Sequence, residues 1–272
     1  MTTQLEKANT LKALHEGTET FLIPGPWDLA SARVFEAFGF KALATTSGGF
    51  AFALGKLDGQ VTLEEKVAHC RALSAATDIP LSADLENGYG DSPEAVANTI
   101  TQIAGAGAVG GSIEDWSGAG IYDLDHAVER MSAAAEAAHA LDFPFALVGR
   151  AENLLRRQGD MDDTIRRLQA YEAAGADVLF APGLRTLDEV RAVVAEINRP
   201  LNVISVMIPG ATVDEIADAG ARRISIGGAL AQVAYAALVD GAREMADSGS
   251  FSWLSKMSGD NDVSAFLGDR EA

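Results

Sequence analysis

The feature that most constrains this chain is an alternation. Short apolar runs recur eight times, at residues 21–25, 41–47, 80–86, 110–115, 145–152, 178–183, 202–206 and 223–228. Stretches rich in Ala, Leu, Glu and Arg lie between them, among them 62–77, 92–105, 124–141, 160–173, 186–197 and 212–219. A chain that repeats strand and helix in this way builds a parallel sheet, because each parallel connection must cross back over the sheet. Eight evenly spread units in 272 residues predict a closed (β/α)8 barrel of the TIM type, an α/β fold. An open doubly wound sheet uses the same local alternation, but the chain shows no second composition regime that would divide it. Residues 1–247 are read as the barrel and catalytic domain. Residues 248–272 are read as a C-terminal extension whose Phe251, Trp253, Leu254 and Phe266 pack on the barrel or on a neighbouring subunit.

Local punctuation agrees with this reading. Ser92 stands before Pro93-Glu94, and Thr62 before Leu63-Glu64-Glu65, as helix N-caps do. An Ala-Gly-Ala triplet recurs around Gly105, Gly175 and Gly220, and each glycine is expected as a left-handed C-cap before the next strand. The run from Gly105 to Gly110 fits G-x-G-x-x-G but follows a helix and precedes a strand, the reverse of a dinucleotide fingerprint.

Charge and cysteine content exclude several partners. A net charge of -18 repels nucleic acid phosphates and anionic membranes, so neither is expected as a partner. An acidic substrate would need local arginine or metal charge. The single cysteine, Cys70, rules out an intrachain disulfide and sits in a helical stretch where burial is expected. Residues 1–17 carry no apolar signal core, and no stretch approaches the roughly 20 apolar residues of a membrane span. A cytoplasmic protein is the expectation.

Barrel active sites sit at the C-terminal ends of the strands. The third strand ends in Asp84-Leu85-Glu86, an i,i+2 carboxylate pair that an extended strand would place on one face. Two like charges side by side call for a compensating cation. The fourth strand ends in Glu114-Asp115-Trp116 and the fifth in Arg150-Ala151-Glu152. Asp84, Glu86 and Glu114 at successive strand ends are hard oxygen donors of the kind that suit Mg²⁺, with Mn²⁺ the alternative. Ser47-Gly48-Gly49 after the second strand is expected to form a turn whose amides can approach an anion. Asp58 stands in an Asp-Gly turn. The four histidines avoid the strand ends, which speaks against a His-ligated zinc site.

Taken together, these stretches resemble the isocitrate lyase/phosphoenolpyruvate mutase superfamily over roughly residues 22–238. The matching segments are Pro26-Trp27-Asp28 with the residues to Arg33, Thr46-Ser47-Gly48-Gly49, Ala83 to Gly90, Ser112-Ile113-Glu114-Asp115 and Gly149-Arg150-Ala151-Glu152. The resemblance implies a (β/α)8 barrel that uses Mg²⁺ to stabilise an enolate of a 2-oxo acid while a C–C or C–P bond is made or broken. It implies that Asp84, Glu86 and Glu114 hold the metal, largely through water, with Glu86 where the family usually has aspartate. Ser47 and Gly48, with Gly49 beside them, match substrate-binding positions, and Trp27 and Asp28 match wall and support positions. Arg150 matches a carboxylate- or phosphonate-anchoring arginine, and Asp58 a polar residue near the reacting group. The resemblance further implies a homotetramer with an exchanged C-terminal helix.

One departure carries information. The Lys-Lys-Cys-Gly-His lid of the isocitrate and methylisocitrate lyases is replaced by Trp116-Ser117-Gly118-Ala119-Gly120-Ile121-Tyr122-Asp123. Neither a cysteine acid nor the Lys- and Asn-bearing lid of the phosphonate mutases is present. Tyr122 is the obvious proton donor in this stretch, and Tyr89 in the metal loop. The expected activity is Mg²⁺-dependent C–C cleavage of a small 2-oxo or 2-hydroxy dicarboxylate, by decarboxylation or a retro-aldol route. The alternatives are a phosphonopyruvate or carboxyphosphonate hydrolase, a phosphonomutase-like enzyme, and a catalytically silent metabolite-binding barrel. Asn153, Arg185, Met207, Ile208 and Pro209 are expected to help set substrate length and charge.

Overall fold

Each apolar run forms a parallel strand in the computed structural model, which describes residues 2–257 and 263–267. The strands are β1 (Phe21–Ile23), β2 (Leu43–Ala44), β3 (Leu81–Asp84), β4 (Gly110–Glu114), β5 (Ala146–Arg150), β6 (Val178–Phe180), β7 (Leu201–Ile204) and β8 (Arg223–Ser225). Their order is β1-β8-β7-β6-β5-β4-β3-β2. The Ala44 N–H donates to the Pro24 carbonyl at 3.0 Å and links the two ends of that order, completing the (β/α)8 barrel.

The helices are α1 (Gln4–Glu16), α2 (Leu29–Ala37), α3 (Ser47–Ala53), α4 (Leu63–Ala76), α5 (Pro93–Gly105), α6 (Leu124–His139), α7 (Met161–Ala173), α8 (Leu187–Val194), α9 (Val213–Asp218) and α10 (Ala229–Ser248). Alternation along the strands divides the core. Leu81, Ile113, Leu147, Leu179, Val203 and Ile224 point outward and pack with helix residues such as Leu73, Ile100 and Leu168. Val148, Val178 and Phe180 form a separate inward cluster with Ile204. The bottom of the barrel is plugged by α1, whose Ala8 and Leu11 pack on Phe21, Ile23, Val109 and Ala146. Thr3 and Glu6 form a capping box at the start of α1, a helix that the strand-helix alternation did not anticipate.

Thr62 and Ser92 cap α4 and α5 as expected, and Cys70 is fully buried in α4. Gly175 and Gly220 adopt the expected left-handed conformation, at φ 104° and 99°. Gly105 does not: it remains the last residue of α5, and the left-handed residue there is Gly107 at φ 98°. The helix runs two residues further into its triplet than α7 and α9 do, and the Ser74 side chain leaves no room for a Cβ at position 107.

Past α10 the chain folds back. Trp253 lies against Gly241, and Glu244 accepts hydrogen bonds from Ser250 and Ser252. Phe266 packs on Phe38 with ring centroids 5.4 Å apart. The rest of the extension, residues 258–262 and 268–272, lies outside the described residues. No described helix is long and apolar enough to cross a membrane.

Candidate active site

The strand ends bring the expected acids to one rim by a different route from the one the spacing suggested. β3 stops at Asp84, and Glu86 has φ 50°, outside the extended region. The same-face strand argument for Asp84 and Glu86 therefore fails, although the residues remain neighbours across a tight loop. The Gly88 N–H donates to the Leu85 carbonyl at 2.7 Å to close that loop. Gly88 itself has φ 82°, and a Cβ there would meet Val96 at 2.9 Å, so only glycine fits. Ser47-Gly48-Gly49 is likewise not a turn. It is the first turn of α3, capped by the Thr46 side chain, which accepts from the Gly49 N–H.

Two adjoining clefts open at this rim. One, of about 490 Å³, runs down the barrel axis and is lined by Ser47, Gly48, Gly49, Asp58, Asp84 and Arg150 among others. The second, of about 440 Å³, lies to the side and is lined by Glu86, Glu114 and Asn87 with Trp116 and Ser117. Ser47, Asp58 and Arg150 belong to both. All three metal candidates thus border one continuous region. Among the described residues no group of three or more His, Cys, Asp or Glu is arranged to hold a metal ion.

Arg150 is the hub. Its Nε donates to Glu152 Oε1 at 2.6 Å, while Nη1 lies 3.6 Å from Asp84 and Nη2 3.4 Å from Glu114. Glu152 is fully buried and also accepts from Arg156 at 2.9 Å. Burial alone would raise the Asp84 pKa, but Arg150 and Lys66, with the N–H groups of Glu86 and Ser47, hold its carboxyl below the usual range. Glu86 goes the other way, pushed up to about 7 by burial and by the charges of Asp84 and Asp58. Glu114 is pushed up to about 8, chiefly by burial, with Glu152 and Asp84 opposing its ionisation. Glu86 Oε1 and the Tyr89 hydroxyl are buried without hydrogen-bond partners. Burial, followed by the Glu86 charge, raises the Tyr89 pKa far above its ordinary value.

Several supports were invisible in the sequence. Lys66, fully buried in α4, donates to Thr45 Oγ1 at 2.8 Å. The same oxygen accepts the Asp84 N–H at 2.9 Å, so a cation stands behind the carboxylate. Arg130 of α6 reaches under the loop that follows β3 and donates to the carbonyls of Asn87, Gly90 and Asp91. Its guanidinium also stacks 4.3 Å from the Tyr122 ring centroid. On the barrel axis, Arg223 lines the first cleft, and burial pulls its pKa down to about 10 against the charge of Asp84. A charged residue opening an apolar strand was the available signal for Arg223.

Other expected residues take supporting places. Trp27 and Ala231 pack so closely on Gly49 that a Cβ there would lie 3.1 and 3.0 Å from their side chains. Trp27 thus backs the first turn of α3 and is not among the residues lining either cleft. Asp28 caps α2 through the Ser31 N–H. Asp58 places its carboxylate over Gly48, 3.5 Å from where a Cβ would stand. The Tyr122 hydroxyl donates to Asp91 and accepts from Asn87, and Tyr122 lines neither cleft. Asn153 is fully buried and bonded to Asp163 and Thr164, so it does not face substrate.

A (β/α)8 barrel with a buried arginine among acids at its C-terminal rim has the layout of a barrel enzyme's active site. The sequence profile described as phosphoenolpyruvate phosphomutase matches residues 11–246, and the chain belongs to that family. A Burkholderia cenocepacia J2315 structure, provisionally described as a lyase/mutase, is 45% identical at a TM-score of 0.93, covering 98% of this chain and 97% of that one. The structure of 2,3-dimethylmalate lyase, described as a member of the PEP mutase/isocitrate lyase superfamily, is 28% identical at a TM-score of 0.84, with 98% and 95% covered. An oxaloacetate decarboxylase of Bradyrhizobium diazoefficiens is 33% identical over 194 residues, 64% of this chain and 62% of that protein.

Proposed function

We propose that the protein is a Mg²⁺- or Mn²⁺-dependent carbon–carbon lyase that acts on a small 2-oxo or 2-hydroxy dicarboxylate through an enolate. The observation that carries this reading is the excess of buried carboxylate at the rim. Asp84, Glu114 and Glu152 flank Arg150, and Glu86, whose Oε1 has no hydrogen-bond partner, borders the adjoining cleft. A cluster with more acid than cation fits a divalent ion. Asp84, Glu86 and Glu114 are the residues that would hold it, and the chemistry it supplies when bound is Lewis-acid withdrawal of charge from a substrate oxygen.

The chain's own groups supply the rest. Glu152 orients Arg150, which then faces the cleft as a fixed cation for a substrate carboxylate. Ser47 and Gly48 open α3 beside the same cleft; the Ser47 N–H donates to Asp84 at 3.4 Å, which leaves the Gly48 amide as the donor that suits an oxyanion. Asp58 lies beside them, placed to move a proton at the reacting group. Tyr122 donates its hydroxyl proton to Asp91 and accepts from Asn87, so it positions the Asn87 amide at the cleft and does not deliver a proton. The names of the relatives support the substrate class, since oxaloacetate and 2,3-dimethylmalate are 2-oxo and 2-hydroxy dicarboxylates.

The test is a turnover screen of 2-oxo and 2-hydroxy dicarboxylates with Mg²⁺ or Mn²⁺, run beside Asp84→Ala. Release of a 2-oxo acid by the wild type alone is the expected result. Undiminished activity in Asp84→Ala overturns the metal assignment, and phosphate release from phosphonopyruvate redirects the reading to C–P chemistry. We also propose that α10 mediates assembly, because Val233, Leu238 and Val239 are each more than half exposed on it. Light scattering should show an oligomer that Val233→Asp with Leu238→Asp dissociates.

A further inference from the structure

The axial cleft has two cations in its wall, Arg150 and Arg223. Arg150 is crowded by carboxylates, whereas Arg223 makes no ion pair among the described residues. Arg223 opens β8 and is 4% exposed. Its Nη2 lies 3.5 Å from Ser82 Oγ, and its Nε and Nη1 have no partner. Asn202, its register partner on β7, is also buried, and its Oδ1 is unpartnered. The Asn202 amide nitrogen donates to Ser225 Oγ at 3.1 Å, and Ser112 and Ser225 line the same cleft. The barrel floor therefore has more polar capacity than it uses.

An unpaired guanidinium inside a barrel destabilises the fold, and hydrophobic replacement of such charges is often neutral or stabilising. Groups that break the rules of stable packing concentrate where a ligand completes them. The depth is also suitable. Ser82 precedes Asp84 by one pleat on the same face, so the Arg223 contact lies about 7 Å below the rim acids. A four-carbon dicarboxylate spans about 6 Å between its outermost oxygens.

We propose that Arg223, with Asn202 and Ser225, forms a carboxylate subsite on the barrel floor that reads the substrate's second carboxylate, the one not engaged at the acidic rim. This rests on the dicarboxylate reading above and adds a chemical consequence. Loss of a carboxylate as CO₂ removes the charge that Arg223 holds, so the subsite opposes that route. In retro-aldol cleavage of a 2-hydroxy dicarboxylate, the hydroxyl proton leaves to a base and C2–O becomes a carbonyl. The C2–C3 bond breaks with its electron pair passing to C3 and into the second carboxylate, after which C3 takes up a proton. That carboxylate gains charge in the step, and Arg223 favours it. The subsite thus selects cleavage that retains the second carboxylate.

The test compares succinate with butyrate, which share a chain length, by calorimetric titration and thermal melting with Mg²⁺ present. Wild-type protein should bind succinate at least about tenfold more tightly, and Arg223→Met should lose that preference. Without ligand, Arg223→Met should melt at or above the wild-type temperature. A retained preference, or a large drop in melting temperature without ligand, overturns the proposal in favour of a structural arginine. Equal stabilisation of wild type by chloride or acetate also overturns it, in favour of a resident small anion. If Arg223→Met does not fold, Arg223→Lys and the wild-type contrast decide the question: Lys keeps the charge without the fork and should bind succinate more weakly. If no acid is turned over by the wild type, the lyase reading fails while the succinate contrast still judges Arg223.

Discussion

The rim and the floor of this barrel solve opposite electrostatic problems. At the rim, one arginine faces Asp84, Glu114 and Glu152, and Glu86 stands nearby with an unpartnered oxygen. On the floor, Arg223 meets the Ser82 hydroxyl alone, with no carboxylate in an ion pair among the described residues. The rim is short of positive charge and the floor short of negative charge, about one pleat apart on a common cleft. A molecule that brings a divalent cation to one end and an anion to the other satisfies both. The lesson is that local charge balance says more about ligands than the net charge of -18 does.

The comparison can be broken at several points. Asp84→Ala should lower kcat/KM by about a thousandfold, roughly 4 kcal/mol, as measured by steady-state kinetics with saturating Mg²⁺. Chelation of divalent ions should cause a similar loss, restored by Mg²⁺; activity unaffected by chelator would remove the cation from the rim. Glu152→Gln leaves Arg150 and Arg156 without their shared carboxylate and should cost about 3 kcal/mol in denaturant unfolding. An equivalent loss from Arg223→Met would erase the contrast between rim and floor.

Acid titration offers a finer probe. His15, beneath the floor, and His69, stacked on Phe50, are both held down to about 3, mainly by burial, with Arg223 adding to the effect on His15. Their unfolded value is 6.5. Below pH 6.5 the unfolded chain takes up protons that the folded chain refuses, so stability falls as pH drops toward 3. The loss should approach about 1.4 kcal/mol per pH unit for each histidine, read from unfolding curves. In Arg223→Met, NMR titration should find His15 moved toward its ordinary value. Smallest of all, Thr62→Ala removes the α4 capping box and should cost about 1 kcal/mol with succinate binding unchanged.

The rim was legible because catalytic groups of such barrels stand at strand ends, where the sequence shows them as charges closing apolar runs. Asp84, Glu114 and Arg150 could be placed this way. Glu86 reached the rim although the strand argument for it failed, because a left-handed loop residue replaced a pleat. Arg223 and Lys66 were not legible. A charge at the start of a strand or within a helix normally faces solvent, and only the closed barrel and the packed helix layer turn these two inward. The plug helix α1 escaped for a related reason: its buried residues include Lys7 and His15, so its inward face does not look apolar. Tyr122 looked available because sequence cannot show that Asp91 already holds its hydroxyl.

Arg130 grips three carbonyls of the acidic loop after β3 from α6, a helix that follows the loop in the chain by more than thirty residues. The acidic loop is therefore shaped from outside itself. During synthesis, Asp84 and Glu86 emerge well before the clamp that fixes their backbone. A ribosome-bound chain that ends before α6 carries the loop's carboxylates without the support that positions them. The backbone geometry of the acidic loop is therefore a late product of folding.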